Sequence, residues 1–194
     1  MARRIAIIQG HPDAESRRLC HALGDAYAEG AEVGGHGVAR VDVAALAFPL
    51  LQTEQEFEQA ALPAELRPAQ DAIMAAEHLV LVFPLWFGTM PTLVRAFLEH
   101  VMRPAIGFTH QPGVPSKRRL GGRSARLVVT MAMPVPACRW WFVGRGMQGL
   151  ELSILGLAGI RPIRESLFGM VGTAGDTTRG QWLQQMRGLG ARGI

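Results

Sequence analysis

The chain has 194 residues, of which 48% are hydrophobic and 19% charged, enough apolar material for one sizeable core and too much for a disordered chain. Its formal net charge is +4, carried almost wholly by arginine, with Lys117 the single lysine. The basic residues are scattered apart from Lys117-Arg118-Arg119 with Arg123 and Arg126, so no nucleic-acid-reading stripe is present. Only Cys20 and Cys138 occur, which supplies neither a disulfide framework nor a metal-ligand cluster.

No apolar run is long enough to span a bilayer, and Met1-Ala2-Arg3-Arg4 leads into a first strand rather than a signal peptide, so a cytoplasmic location is expected. No linker or internal repeat divides residues 1–194, which read as a single domain.

Strand-like and helix-like periods then alternate to the end of the chain. Ile5 to Gln9 is the first strand, followed by a helix expected to begin near Ser16, with Leu19, Ala22, Leu23, Ala26 and Tyr27 on one face. A second strand spans about Val38 to Val43, and Gln52 to Ala76 reads as helix interrupted at Pro63 and Pro68. His78 to Phe83 is a continuous apolar run suited to a strand covered on both faces, which Pro84 should end. Pro91 suits a first helical turn, with Leu93, Val94, Phe97, Leu98 and Val101 at helical spacing behind it. A long irregular connection from Met102 to Gly122 precedes a fourth strand, Arg126 to Met131. Met147, Leu150, Ile154 and Leu157 suggest another helix, Ile163 to Val171 a fifth strand, and Trp182, Leu183, Met186 and Leu189 a final helix. Glu99 and Arg103, one helical turn apart, read as a surface ion pair, and His36, His78 and His100 as structural or surface residues.

Five such units fit a flavodoxin-like α/β fold, a doubly wound five-stranded parallel sheet of order 2-1-3-4-5 with helices on both faces. Ligands in such sheets bind outside the carboxyl ends of the strands, at the switch point between the first and third. Two loops flank that crevice. Gly10-His11-Pro12-Asp13-Ala14-Glu15-Ser16-Arg17-Arg18 leads into a helix N-terminus, where free amides and the helix dipole favour an anion, although Asp13 or Ser16 also reads as a plain N-cap. Pro84-Leu85-Trp86-Phe87-Gly88 forms an aromatic shelf suited to a flat, redox-active ring.

Together these loops resemble the flavodoxin-like NAD(P)H:quinone oxidoreductases, a family that includes mammalian quinone reductases and bacterial drug-activity modulators and potassium-efflux ancillary proteins. The carriers are Gly10-His11-Pro12 with Ser16, Phe83-Pro84-Leu85-Trp86-Phe87-Gly88 with Pro91, Phe97 and Glu99, Phe108-Thr109-His110, the Thr130 loop, and Leu155 to Ile160.

The resemblance implies a bound flavin on Pro84, Leu85, Trp86 and Phe87, edged by Thr130, Met131 and Met133, with its phosphate end at His11, Ser16, Arg17 and Arg18. Where Arg17 and Arg18 stand, the family often has an aromatic and an asparagine. With one hydroxyl in that loop, FAD is favoured over FMN. The implied reaction is two-electron hydride transfer from NAD(P)H through the flavin to a quinone or related acceptor, the amides of Trp86, Phe87 and Met131 to Met133 supporting the reduced ring. Phe108, His110, Trp140, Trp141 and Arg145 would line the substrate pocket, His110 and Arg145 being the candidates for any side-chain chemistry. Relatives place tyrosine and histidine in the 134–146 loop, and neither occurs here. A homodimer is expected, because Phe108 and His110 match positions that reach a partner's site. An ancillary subunit of a membrane ion-efflux system is the alternative.

Overall fold

The structure is a computed structural model that describes residues 1–14, 18–103, 119–138 and 154–194. Five parallel strands form one sheet: β1 (Arg4–Gln9), β2 (Gly37–Asp42), β3 (His78–Pro84), β4 (Ser124–Thr130) and β5 (Ile163–Phe168), in the expected order β2-β1-β3-β4-β5. The helices between them are α1 (Leu19–Val33), α2 (Glu54–Gln59), α3 (Arg67–Ala75), α4 (Thr92–Val101), α5 (Val135–Cys138) and α6 (Asp176–Ala191).

Alternate side chains of each strand point to opposite faces, so the apolar strands build two cores. Ile5, Ile7, Val80, Val82 and Val128 pack under α1 and α6, while Ala6, Ile8, Leu79, Leu81, Phe83, Leu127 and Val129 pack under α3 and α4. Central β3 is buried along its whole length, as a strand covered on both sides must be, whereas edge strands β2 and β5 are only partly buried. On the first face α1 and α6 approach to backbone contact. A Cβ on Gly30 would fall on the Arg187 carbonyl, and one on Gly190 on the Tyr27 carbonyl.

Several boundaries differ from expectation. Helix α1 begins at Leu19, after an extended Arg18, rather than near Ser16. Pro68 lies in the first turn of α3, where a missing N–H removes no helical bond, and so starts a helix instead of interrupting one. Pro84 does not end the ladder: it pairs in register with Thr130, and the Leu85 amide donates to the Thr130 carbonyl at 2.7 Å. Proline is tolerated there because its nitrogen has the parity of Val82, whose carbonyl faces β1, and β1 has already turned away at Gly10. Strand β4 starts earlier, at Ser124, and β5 stops at Phe168. Beyond β5 the left-handed Met170 (φ 55°) turns the chain, and the Met170 and Val171 amides donate instead to the carbonyls of Met133 and Met131. Glu99 pairs with Arg95 at 2.9 Å, not with Arg103. Helix α4 ends at Val101, so helical spacing no longer holds at Arg103, which is buried and donates to the Glu56 carbonyl. Of the expected 147–157 helix, Met147 and Leu150 lie outside the described residues, and Leu157 is about half exposed within a run of turns.

His78 and His100 are buried and structural, held by the Ser124 hydroxyl and the Pro49 carbonyl. Among the described residues no helix is long and apolar enough to cross a membrane, and no cluster of His, Cys, Asp or Glu could hold a metal ion.

Candidate functional site

The carboxyl ends of β1, β3, β4 and β5 are joined by rungs that continue past the strands. The Gly10 amide donates to the Val82 carbonyl at 2.7 Å, Leu85 to Thr130 at 2.7 Å, and Met131 to Phe168 at 2.8 Å. Each loop therefore leaves the sheet already tied to its neighbour.

Gly10 sets the first loop's course. A Cβ there would meet Val94 Cγ2 at 2.8 Å and the Val82 carbonyl at 3.0 Å, so only glycine lets the chain pass this close to β3 and α4. His11 follows. Its Nδ1 lies 3.1 Å from the Asp13 amide and 3.2 Å from the Asp13 carbonyl, contacts that hold the ring against its own loop. Burial, opposed by the Asp13 carbonyl, holds its pKa below the usual histidine value and so favours the uncharged ring. Asp13 in turn accepts from Arg18 at 2.9 and 2.6 Å, a fork that pins the loop's exit to the first residue before α1. Ser16 and Arg17 lie outside the described residues.

The second loop is a hairpin turn closed by two bonds, Trp86 N–H to the Thr89 carbonyl at 2.9 Å and Thr89 N–H to the Trp86 carbonyl at 3.0 Å. Its central residues, Phe87 (φ 50°) and Gly88 (φ 81°), are both left-handed, as a type I′ turn requires. Glycine adopts that backbone freely, and phenylalanine does so at a cost of about 1–2 kcal/mol. The strained Phe87 side chain gains no burial in return, for it is fully exposed at 105%, beside Trp86 at 48%. Strain held at an exposed aromatic is a feature of ligand-contacting turns. The two loops meet: the His11 and Trp86 rings stand edge to face at 6.4 Å.

The turn also consumes a donor. The Trp86 amide closes the hairpin and the Met131 amide holds β5, so neither is free to meet a ligand. The amides of Phe87, Gly88, Ala132 and Met133 have no acceptor among the described residues. Thr130 and Met131 are buried, and the Thr130 hydroxyl sits 3.1 Å from Cys20 Sγ, so both belong to the floor of the site. Met133 is half-buried above them. Burial and Thr130 together leave the Cys20 thiol at a pKa of about 11, protonated and inert.

Two neighbours had gone unnoticed in the sequence. His21, on the buried face of α1, lies 5.7 Å from His11, and neither of its ring nitrogens has a partner among the described residues. Met170 brings a second left-handed, exposed apolar residue to the same edge of the sheet. The i+3 step from Arg18 to His21 at a helix start was the signal for the first; nothing in the sequence flags the second. Phe108, His110, Trp140, Trp141 and Arg145 all lie outside the described residues.

A profile of the flavodoxin-like fold family matches residues 3–188. An uncharacterized NAD(P)H oxidoreductase of Haemophilus influenzae is 21% identical over 177 residues, 89% of this chain and 87% of that protein. The FMN-dependent NADH:quinone oxidoreductase 2 of Pseudomonas putida is 32% identical over 76 residues, 38% of each chain. Among solved structures, the NAD(P)H:quinone oxidoreductase of Methanothermobacter marburgensis superposes with a TM-score of 0.80 at 18% identity, covering 98% of both chains.

Proposed function

The chain belongs to the flavodoxin-like fold family, and on that footing we propose that it is an NAD(P)H-dependent oxidoreductase that works through a bound flavin. The observation that carries this reading is the meeting of the Gly10–His11 loop, the Trp86–Phe87 turn and the Met131–Met133 loop at one edge of the central strands. The glycine-lined entry, exposed aromatics and uncommitted amides match what a flat, anionic ring with a phosphate tail needs. FMN takes the place of the FAD expected from the loop's hydroxyl count. The P. putida relative is named as FMN-dependent, and no relative described above is named for FAD.

When bound, the flavin supplies the two-electron chemistry, accepting a hydride from NAD(P)H and delivering it to a quinone or a related acceptor such as an azo compound. The protein's part is placement. His11, and Arg18 held beside it by Asp13, stand where the phosphate end would lie. Trp86 and Phe87 present apolar surface to the ring and exclude water from one side. The free amides of Phe87, Gly88, Ala132 and Met133 are the donors suited to negative charge gathered on the ring. Exposed Phe87, Trp86 and Met170 also suit burial against a second copy of the chain, so the active form is proposed as a homodimer, working in the cytoplasm.

Purified protein is expected to be yellow, to release FMN on denaturation as read by mass spectrometry, to bleach with NADPH, and to recover its colour when a quinone is added. Protein that stays colourless after incubation with FMN and with FAD would overturn this reading.

A further inference from the structure

At the opposite, amino end of the sheet, a cavity of about 190 Å³ opens between the starts of β1, β3, β4 and β5, lined by Arg3, His78, Ser124, Arg161, Arg164 and Ile194. Strands of six or seven residues place it roughly 20 Å from the loops described above. Its charge is one-sided. Arg3, Arg161 and Arg164 make no ion pair with any described residue, and the only bond of the Arg3 guanidinium among them is to the Gly193 carbonyl, at 2.9 Å. Behind them, buried Arg126 donates to the main-chain oxygen of Ile194 at 2.7 Å and to the Ser166 hydroxyl at 2.8 Å, so its guanidinium is taken up within the protein and the cations open to the cavity are Arg3, Arg161 and Arg164. The nearby carboxylate of Glu77 is engaged by Arg4, and Glu165 alternates to the other face of β5.

A second observation points the same way. His78, 1% exposed, is among the residues lining the cavity, and its Nδ1 stands 2.7 Å from the Ser124 hydroxyl, yet its buried Nε2 has no partner among the described residues. Leaving a buried polar atom unpaired costs on the order of 1–3 kcal/mol. Arg3, Arg161 and Arg164 at the cavity, with no carboxylate side chain paired to them among the described residues, leave an excess of positive charge that binding of an anion would lessen.

We propose that this cavity binds a small oxyanion, inorganic phosphate or a short carboxylate, through Arg3, Arg161 and Arg164. Planar guanidinium groups match such oxygens two at a time. The volume admits an ion of that size and is too small for a nucleotide, whose sites run to about 300 Å³ or more. Arg126 and His78 form the back wall, and the ligand bridges the starts of β1 and β5, which the sheet order holds three strands apart.

The test is calorimetric titration of the purified protein with sodium phosphate, and separately with sodium malonate, against sodium chloride at equal ionic strength. It runs beside Arg161→Gln/Arg164→Gln, both exposed, and beside a charge-matched Arg95→Gln/Arg187→Gln control. Saturable binding of one oxyanion is expected in the wild type and the control and about 10-fold or more weaker in the first variant, with the His78 ring resonances shifting at the same midpoint. Tighter binding of phosphate or of malonate identifies which source of oxyanion the cavity serves. Binding equal in wild type and Arg161→Gln/Arg164→Gln, no response beyond that of chloride, or unmoved His78 resonances would each overturn the proposal.

Discussion

The two ends of the sheet solve the problem of receiving a ligand by different means. At the carboxyl end the receiving surface is backbone: an absent Cβ at Gly10, uncommitted amides at Phe87, Gly88, Ala132 and Met133, and a left-handed turn that holds an aromatic outward. At the amino end it is side-chain charge: guanidinium groups from β1, β4 and β5 and their approaches, arranged around one buried imidazole. A backbone site is specified by a few contiguous residues and changes little with pH. A charge site is specified by residues scattered along the chain, and here the one group in it that titrates in the accessible range is the His78 imidazole.

The largest expected effect tests that pH contrast. Burial, then the charges of Arg126, Arg3 and Arg164, lowers the His78 pKa from 6.5 to about 4, with neutral Tyr27 stacked on the ring and Ser124 bonded to it. The unfolded chain therefore takes up a proton near pH 6.5 that the native protein refuses until about pH 4. Stability is full above pH 6.5 and falls as pH drops through that window, by about 3 kcal/mol for this group. Urea midpoints at pH 7, 5.5 and 4 should show the loss, His78→Gln should flatten it, and His11→Gln should leave most of it in place. An equal flattening by His11→Gln would erase the distinction between the ends.

A smaller effect probes the backbone site. Gly10→Ala should destabilise the protein by about 1–3 kcal/mol, the range for overpacking a close contact, with FMN affinity falling alongside. A crowded Val94 can be relieved by Val94→Ala, whereas the Val82 carbonyl cannot move. Partial rescue in the double variant is therefore expected, and full rescue would show that side-chain crowding alone makes glycine necessary.

The smallest change in stability should come from Phe87→Gly. Relief of left-handed strain, about 1–2 kcal/mol, is offset by the added freedom of glycine in the unfolded chain, about 0.5–1 kcal/mol. The flavin-free protein should thus melt within a few degrees of the wild type while FMN affinity, read by fluorescence quenching, drops several-fold. Unchanged affinity would remove Phe87 from the ring platform.

The same contrast explains what was legible in the sequence. The fold class and strand order followed from the alternation of strand and helix periods, and the burial of β3 was legible because an apolar run such as His78 to Phe83 reports its own burial. The aromatic loop was legible because its residues are neighbours along the chain. The loss of the Trp86 amide was not, since it depends on a turn type that Phe-Gly does not announce. The Glu99–Arg103 pairing failed because helical spacing was extended two residues past the helix end. The amino-end cavity had no local signature at all: residues 3, 78, 124, 161, 164 and 194 become neighbours only when the sheet is assembled.

The rungs that run from Gly10 to Val82, Leu85 to Thr130 and Met131 to Phe168 have a consequence for time rather than shape. They make the roots of three ligand-facing loops part of the slowest-opening unit of the fold. In hydrogen exchange these three amides should persist as long as those of central β3, while the amides of Phe87, Gly88, Ala132 and Met133, one to three residues away, exchange at once. Rigid and receptive backbone would then alternate almost residue by residue along the same rim.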